Sequence, residues 1–201
     1  YTTLFRSLDS DANLAVTFTS ANITAGEAVT IIGGAGDDEL TGTAQANDTI
    51  TGGKGADTLT YTGGKDTFTG GEGADKFVIG AKTAASLGTK DLYLTISDLG
   101  KGDSINVASL LNNATTVDSI AKISVASGAT FDQALNAAVI GNGGTNSLGT
   151  WFQYQNNTYL VADNSSNDTF IVGQDSFIKI AGLVDLSTPN ATVVDGVITI
   201  A

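Results

Sequence analysis

The sequence predicts an all-β fold. We expect a parallel β-roll, or β-solenoid, of nine-residue repeats, followed by a β-rich C-terminal capping region with one or two short helices. Glycine-dense turns recur with a fixed period between residues 33 and 80. Elsewhere, short runs rich in Thr, Val and Ile alternate with Gly, Asn and Asp clusters, which is the pattern of strands separated by turns.

The chain is predicted to have three parts with different periodicity. These are a β-rich entry segment at 1–32, the roll of nine-residue repeats at 33–80, and a β-rich C-terminal capping region at 81–201. The last part lacks the repeat and holds the single tryptophan, Trp151. In the first part, Ile31 is in register with Leu40 of the roll, but Val29 stands where the roll has aspartate. That coil is therefore expected to bind no metal.

Seven strands are predicted from their β-branched and apolar content. They are Leu14–Thr19, Ala28–Ile32, Leu92–Ile96, Thr158–Val161, Thr169–Val172, Ser176–Ile180 and Val197–Ile200. One helix is predicted at Phe131–Val139, and Thr130 is a suitable N-cap for it. Its apolar residues share a face: Phe131, Ala134, Leu135, Ala138 and Val139. A second short helix is predicted near Val117–Lys122.

The repeat keeps a constant internal order. Its turns are GGAGDDELT (33–41), GTAQANDTIT (42–51, with one residue inserted), GGKGADTLT (52–60), YTGGKDTFT (61–69) and GGEGADKFV (70–78). The candidate metal ligands are the aspartates of the five turns: Asp38, Asp48, Asp57, Asp66 and Asp75. A large apolar residue follows each aspartate two places later: Leu40, Ile50, Leu59, Phe68 and Phe77. Glycines that permit positive φ or close backbone approach complete the predicted sites: Gly34, Gly36, Gly53, Gly55, Gly64, Gly71 and Gly73.

Successive turns are predicted to alternate between two edges of the roll, because two turns complete one coil. Asp38, Asp57 and Asp75 then share one edge, while Asp48 and Asp66 share the other. The second turn has no glycine at its second or fourth position, and the fourth turn has glycines at the third and fourth positions instead. The second edge therefore departs from the glycine pattern of the first.

Stacked aspartate turns favour calcium as the ligand. Stacked strands lie roughly 4.7–4.9 Å apart, and calcium accepts oxygens at roughly 2.3–2.6 Å, so an ion fits between successive coils with turn carbonyls completing its shell. Magnesium prefers about 2.0–2.1 Å and octahedral geometry, which fits this spacing poorly. We expect about three ions in the roll, at 38/57, 57/75 and 48/66, and leave open whether others bind elsewhere. The alternatives are a glycine-rich linker, which would not keep five turns in register, and a metal-free solenoid.

Charge predicts that the roll depends on this metal. Residues 33–78 carry eight acidic and three basic side chains, a balance of -5. Stacked carboxylates repel one another, and glycine-rich turns lose much conformational entropy on folding for little apolar burial. We therefore expect residues 33–80 to be disordered without calcium and folded with it.

Composition argues against several other functions. The chain has no His and no Cys, which removes the usual zinc ligands and the Ser-His-Asp and Cys-His catalytic arrangements. We find no other catalytic constellation, so we expect no enzymatic activity within this chain. The net charge of -12 disfavours nucleic acid as a partner. No apolar run is long enough for a transmembrane helix, and the start, without Met or a signal-peptide pattern, indicates part of a longer protein.

The pattern G-G-x-G-x-D-x-U-x is that of RTX (repeats-in-toxin) proteins, and the chain resembles the C-terminal part of such a protein. The stretch 94–106 resembles the segment that closes RTX rolls, although Leu99 replaces the usual Phe and Asn106 the usual Asp. The resemblance implies that Asp98 and Asp103 bind calcium at the end of the roll; the alternative is an Asx turn.

Further along the chain, two stretches resemble the C-terminal flank of RTX proteins. They are Trp151–Asp163 and Phe177–Leu186. The loop Asp163–Asp168 is rich in oxygen ligands, so it is a candidate for a further calcium ion or, alternatively, a solvated hairpin loop.

The irregular turns also resemble, in their order, the C-terminal domain of type I-secreted bacterial S-layer proteins of the Caulobacter type, over about residues 20–201. That resemblance implies a secreted structural protein of the cell surface. It would cross the envelope unfolded through the type I secretion machinery, fold on external calcium, and self-associate into a lattice. The alternative is the RTX module of a secreted adhesin, or of a secreted protease or lipase whose catalytic domain lies outside this chain.

Overall fold

The computed structural model describes residues 5–7, 17–18, 27–44, 46–80, 93–110, 119–141 and 148–201. Within them, two parallel sheets face each other and form a roll. One sheet contains β1 (Phe5–Ser7), β3 (Thr30–Gly34), β5 (Thr49–Lys54), β7 (Thr67–Glu72) and β9 (Thr95–Ile96). The other contains β2 (Thr17–Phe18), β4 (Glu39–Thr41), β6 (Thr58–Tyr61), β8 (Lys76–Ile79) and β10 (Ser104–Asn106). The chain alternates between the sheets, which confirms the predicted β-roll.

The apolar position of each repeat forms the core of the roll. Four residues stack in register on the first sheet: Ile31, Ile50, Phe68 and Ile96. Four more stack on the second: Leu40, Leu59, Phe77 and Ile105. All eight are buried, because the side chain two places after the position that aspartate takes in the repeat points inward between the sheets.

The coil before the first repeat lies where the sequence predicts it. Strand β3 stacks in parallel on β5, and Ile31 pairs with Ile50. Val29, which replaces the aspartate of the repeat, is buried. The N-terminal part of this predicted coil, residues 24–26, lies outside the described residues, as does most of the predicted strand Leu14–Thr19.

The capping region continues both sheets of the roll. On the first sheet, β14 (Ser176–Ala181) pairs in parallel with β9, and then come β13 (Asn157–Asp163), β12 (Leu148–Tyr154) and β11 (Ala121–Lys122). On the second sheet, β16 (Val197–Ile200) pairs antiparallel with β10 and is followed by β15 (Ala191–Val194). The roll and its cap therefore share two hydrogen-bonded sheets.

The helix α1 spans Phe131–Ile140, as predicted, and begins with a capping box between Thr130 and Gln133. Its buried face consists of Ala134, Leu135, Ala138 and Val139. This face packs on the side of β12 and β13 that carries Phe152 and Val161. The opposite side of those strands carries Trp151 and Leu160, which join the core of the roll.

Two predicted elements are wrong. Residues 119–122 of the predicted second helix contain strand β11, which pairs with β12; residues 117–118 lie outside the described part. The predicted strand Thr169–Val172 is a loop whose backbone bonds to side chains: Phe170 N–H donates to Asn136 Oδ1 and Ile171 N–H to Asp175 Oδ2. A β-rich local composition does not reveal such side-chain acceptors, one of which lies 34 residues away along the chain.

Candidate metal centre

The first edge of the roll carries a ladder of carboxylates. The backbone N–H of Asp38 donates to Asp57 Oδ1 at 2.8 Å, and that of Asp57 donates to Asp75 Oδ1 at 2.9 Å. Asp75 N–H donates in turn to Asp103 Oδ1 at 2.9 Å. Asp57, Asp75 and Asp103 therefore each accept a hydrogen bond from the coil before, and Asp103 extends the ladder beyond the repeats.

The second edge carries a shorter ladder. Val29 N–H donates to Asp48 Oδ1 at 2.9 Å, and Asp48 N–H donates to Asp66 Oδ1 at 2.8 Å. The structure thus places the aspartates of the five turns on two edges, as predicted. It also shows that Oδ1 serves the contact between coils, which leaves Oδ2 of Asp66, as of Asp57 and Asp75, without a protein donor.

The carboxylates of Asp57, Asp66 and Asp75 are buried, and each is about 1% exposed. Their Oδ2 atoms accept no hydrogen bond. Burial raises the pKa of Asp57 to about 6 and that of Asp66 to about 8. It raises the pKa of Asp75 and Asp103 too, and in all four the hydrogen bond to Oδ1 works against the effect of burial. Such a carboxylate is stabilised by either a proton or a cation.

The first glycine of three turns lies against these open oxygens. A methyl group on Gly52 would overlap Asp57 Oδ2 and approach the carbonyl oxygen of Gly70 to 2.7 Å. Gly33 and Gly70 stand in the same relation to Asp38 and Asp75. Sequence reasoning missed Gly33, Gly52 and Gly70 as site residues, although their constant place five residues before aspartate could have identified them.

The glycines that were predicted shape the turns in two ways. Positive φ is found at Gly34, Gly53, Gly55, Gly64, Gly71 and Gly73. Gly53, Gly64, Gly71 and Gly73 also lie against a backbone carbonyl of the preceding coil, and a side chain at any of them would overlap that oxygen. Gly36 does not have positive φ, and its carbonyl packs closely against Gly55.

The two aspartates after the roll have different surroundings. Both oxygens of Asp98 accept backbone hydrogen bonds from the fifth turn, one from Gly70 N–H and one from Gly71 N–H, each at 2.9 Å. Asp103 accepts from Asp75 through Oδ1 and from Gly100 N–H through Oδ2 at 2.8 Å. Asp98 thus ties the closing segment to the roll, while Asp103 joins the ladder and closes a turn.

The donor set of the first edge fits a calcium ion. Calcium requires several oxygen ligands, both carboxylate and carbonyl. Asp57 Oδ2 and the Gly70 carbonyl approach the same face of Gly52, and both are oxygens. No three acidic side chains converge anywhere in the described residues. Asp57 and Asp75 would therefore hold an ion together with turn carbonyls, and the ion would supply the positive charge that the buried carboxylates lack.

The other candidate calcium site is the loop Asp163–Asp168, whose two terminal aspartates lie in different environments. Asp163 is buried, whereas Asp168 is exposed. Ser165 N–H donates to Asp163 Oδ1 at 3.1 Å and to Asp175 Oδ1 at 2.9 Å. Asp175, which lies just before β14, thereby organises this loop, a role that the sequence did not indicate.

Comparison with known proteins identifies the repeat. The family model for the RTX calcium-binding nonapeptide repeat matches residues 26–47 and 43–77. A similar solved structure is the AlgE6R3 subunit of the mannuronan C5-epimerase of Azotobacter vinelandii, at 22% identity and a TM-score of 0.33, covering 87% of this chain and 73% of that chain. No curated protein gives a significant match.

The repeat segment is therefore an RTX calcium-binding module, of the kind that is typical of secreted proteins. In the described part of the chain, no helix is both long and apolar enough to cross a membrane.

Proposed function

We propose, on the premise that residues 26–77 are RTX calcium-binding repeats, that this chain is the calcium-dependent folding and assembly module of a bacterial surface-layer protein. The type I secretion machinery would export it, and it would fold outside the cell and associate with further copies of itself. In this proposal the chain has a structural role at the cell surface, has no enzymatic activity and binds no nucleic acid.

The observation that carries the calcium-dependent step is the set of buried carboxylates without positive partners. Asp57, Asp66 and Asp75 are buried, and the groups that shift their pKa include no lysine or arginine. The ion pair found among the described residues, Lys54 with Glu72, is exposed. Burying an unpaired carboxylate is costly, so a divalent cation would stabilise this arrangement at neutral pH, which is above the pKa of about 6 of Asp57.

The same feature supports export of an unfolded chain. Where calcium is scarce, folding has to bury mutually repelling carboxylates or protonate them, so the unfolded chain is favoured. Where calcium is plentiful, the ion binds the folded chain and shifts the equilibrium toward it. A chain of this type would stay unfolded for transport and would fold after it leaves the cell.

Two features support assembly as the role of the folded module. Both sheets of the roll continue into the capping strands, so calcium bound in the roll stabilises the cap through shared hydrogen bonds. The irregular second and fourth turns also keep the order that resembles S-layer proteins. A module that becomes rigid on calcium binding can present fixed surfaces to its neighbours.

The test is direct imaging of assembly. The complete purified chain would be dialysed against millimolar calcium, against the same concentration of magnesium, or against chelator, and then examined by electron microscopy and light scattering. We expect two-dimensional arrays with calcium alone. A protein that is saturated with calcium but strictly monomeric would contradict the assembly role and would favour the adhesin or the secreted-enzyme module.

A further inference from the structure

We propose that Asp48 is not a calcium ligand, because Thr43 of its own turn occupies the oxygen that its counterparts leave open. The inference rests on the proposed calcium binding by the roll and specifies which of its aspartates take part. It replaces the predicted 48/66 site with a hydrogen-bonded turn that needs no metal at Asp48.

The hydrogen bonds of Asp48 differ from those of the first edge. Asp48 Oδ1 accepts from Val29 N–H, as the ladder requires. Asp48 Oδ2 accepts two more hydrogen bonds, from Thr43 N–H and from the Thr43 hydroxyl, the latter at 2.8 Å. The corresponding Oδ2 of Asp57 and of Asp75 accepts none. Asp48 is thus satisfied by three protein donors.

The insertion in the second turn explains the different contact. In the regular turns, aspartate follows the first glycine by five residues, as Asp57 follows Gly52, and a methyl on that glycine would overlap Oδ2. In the second turn, Asp48 follows Gly42 by six residues, and a methyl on Gly42 would lie 3.0 Å from Oδ2. The carboxylate is therefore displaced from the glycine, and Thr43 fills the second position, where the regular turns have glycine.

Electrostatics then works against a cation at this position. The N–H and O–H of Thr43 direct their positive ends at Asp48 Oδ2, and Thr43 is itself buried. A calcium ion would have to break or share these bonds to reach the oxygen. At Asp57 and Asp75 it would meet an oxygen without a partner. Hydrogen bonds to a buried carboxylate replace the stabilisation that a cation gives elsewhere in the roll.

The difference between Asp48 and the aspartates with an open Oδ2, namely Asp57, Asp66 and Asp75, can be tested on the unaltered protein. Crystals of the complete chain would be grown with calcium, and the ions located by anomalous scattering. We expect ions bound to Asp57 and Asp75, and none within the coordination distance of about 2.3–2.6 Å of Asp48. An ion bound to the Asp48 carboxylate would overturn the inference while leaving the proposed function intact. Absence of calcium from both edges would overturn the proposed function, and with it the contrast between Asp48 and the other aspartates.

A matched pair of variants tests the same point in solution. Bound calcium per chain would be measured by equilibrium dialysis at saturating calcium for Asp48→Asn and Asp57→Asn, after circular dichroism has shown the wild-type β signal. We expect Asp48→Asn to bind the wild-type number of ions and Asp57→Asn to bind fewer. An equal loss in the two variants would show that Asp48 is a ligand. If Asp48→Asn does not fold, the crystallographic count on the unaltered chain decides the question.

Discussion

At the scale of single residues, the two carboxylate oxygens of Asp57 and of Asp75 have separate roles. Oδ1 accepts a backbone hydrogen bond from the preceding coil, as Asp57 does from Asp38. Oδ2 remains open at Asp57 and Asp75, and it lies against the first glycine of its own turn. The carboxylate therefore links the coils through one oxygen and can bind a cation through the other.

The glycine beneath the carboxylate makes this arrangement possible. We expect Gly52→Ala to weaken calcium binding and to destabilise the calcium-loaded chain by about 1–3 kcal/mol, because its methyl overlaps Asp57 Oδ2. Urea unfolding and calcium titration would measure both effects. Gly100→Ala is the matched control, since the nearest atom to its methyl would lie 3.6 Å away. Equal effects of the two substitutions would contradict this account.

Protons and calcium should compete for the open oxygens. Burial raises the pKa of Asp57 to about 6 and of Asp66 to about 8, above the ordinary value of 3.8. A raised pKa in the folded state stabilises the fold most below pH 3.8, and this contribution is lost as pH rises through about 6 to about 8.

We therefore expect the calcium-free chain to regain β structure when it is acidified from pH 8 to pH 5.5. Circular dichroism in chelator would follow the change, and a parallel series in saturating calcium, where the carboxylates are neutralised by metal, would serve as the control. A calcium-free β signal that stays constant or falls on acidification would show that these carboxylates do not limit folding.

At the scale of elements, the strands of the roll are short, and stacking gives them their order. Strand β4 has three residues and β6 has four. Such strands gain stability from neighbours above and below, as Leu40 does from Leu59. The helix α1 differs, because its capping box and apolar face are encoded within a single stretch of sequence.

The N-cap of α1 can be tested independently of calcium. We expect Thr130→Ala to lower the free energy of unfolding by about 1 kcal/mol, because it removes the hydroxyl that accepts from Gln133 N–H. Urea unfolding in saturating calcium would measure the loss. Ser127→Ala, at an exposed turn before the helix, should change it little. The number of bound calcium ions should be the same in both variants.

At the scale of the whole molecule, the roll and the cap are coupled through shared sheets. The roll strand β9 pairs with the capping strand β14, and β10 pairs with β16. Trp151 of the cap joins the same core as Phe68 and Phe77 of the roll. Ordering of the roll should therefore affect the capping region directly.

Removal of calcium should accordingly unfold more than the repeats. We expect chelator to abolish the β signal of residues 33–80 and also to expose Trp151, which is fully buried in the folded chain. Far-UV circular dichroism and tryptophan fluorescence would report the two regions separately, and excess calcium should reverse both changes. A β signal that chelator leaves unchanged would contradict calcium-dependent folding, and an unchanged fluorescence would contradict the coupling.

Much of the fold could be predicted because its information is local and periodic. The nine-residue period placed Leu40, Leu59 and Phe77 in the core and separated the aspartates between two edges. A side chain's orientation in a short strand follows from its place in the repeat. Helix α1 was predictable for the same reason, from its apolar spacing and its N-cap.

Only the tertiary structure determines the contacts between coils and between regions. Asp103, 28 residues after Asp75, joins the ladder by accepting a hydrogen bond from the Asp75 N–H. Thr43 donates to Asp48 Oδ2 because an inserted residue displaces that carboxylate. In the loop at 169–172, the backbone N–H groups of Phe170 and Ile171 donate to the side chains of Asn136 and Asp175 instead of to a neighbouring strand. A repeat pattern specifies which side chains enter a turn, but the partner of each oxygen depends on which donors the fold brings within hydrogen-bond distance.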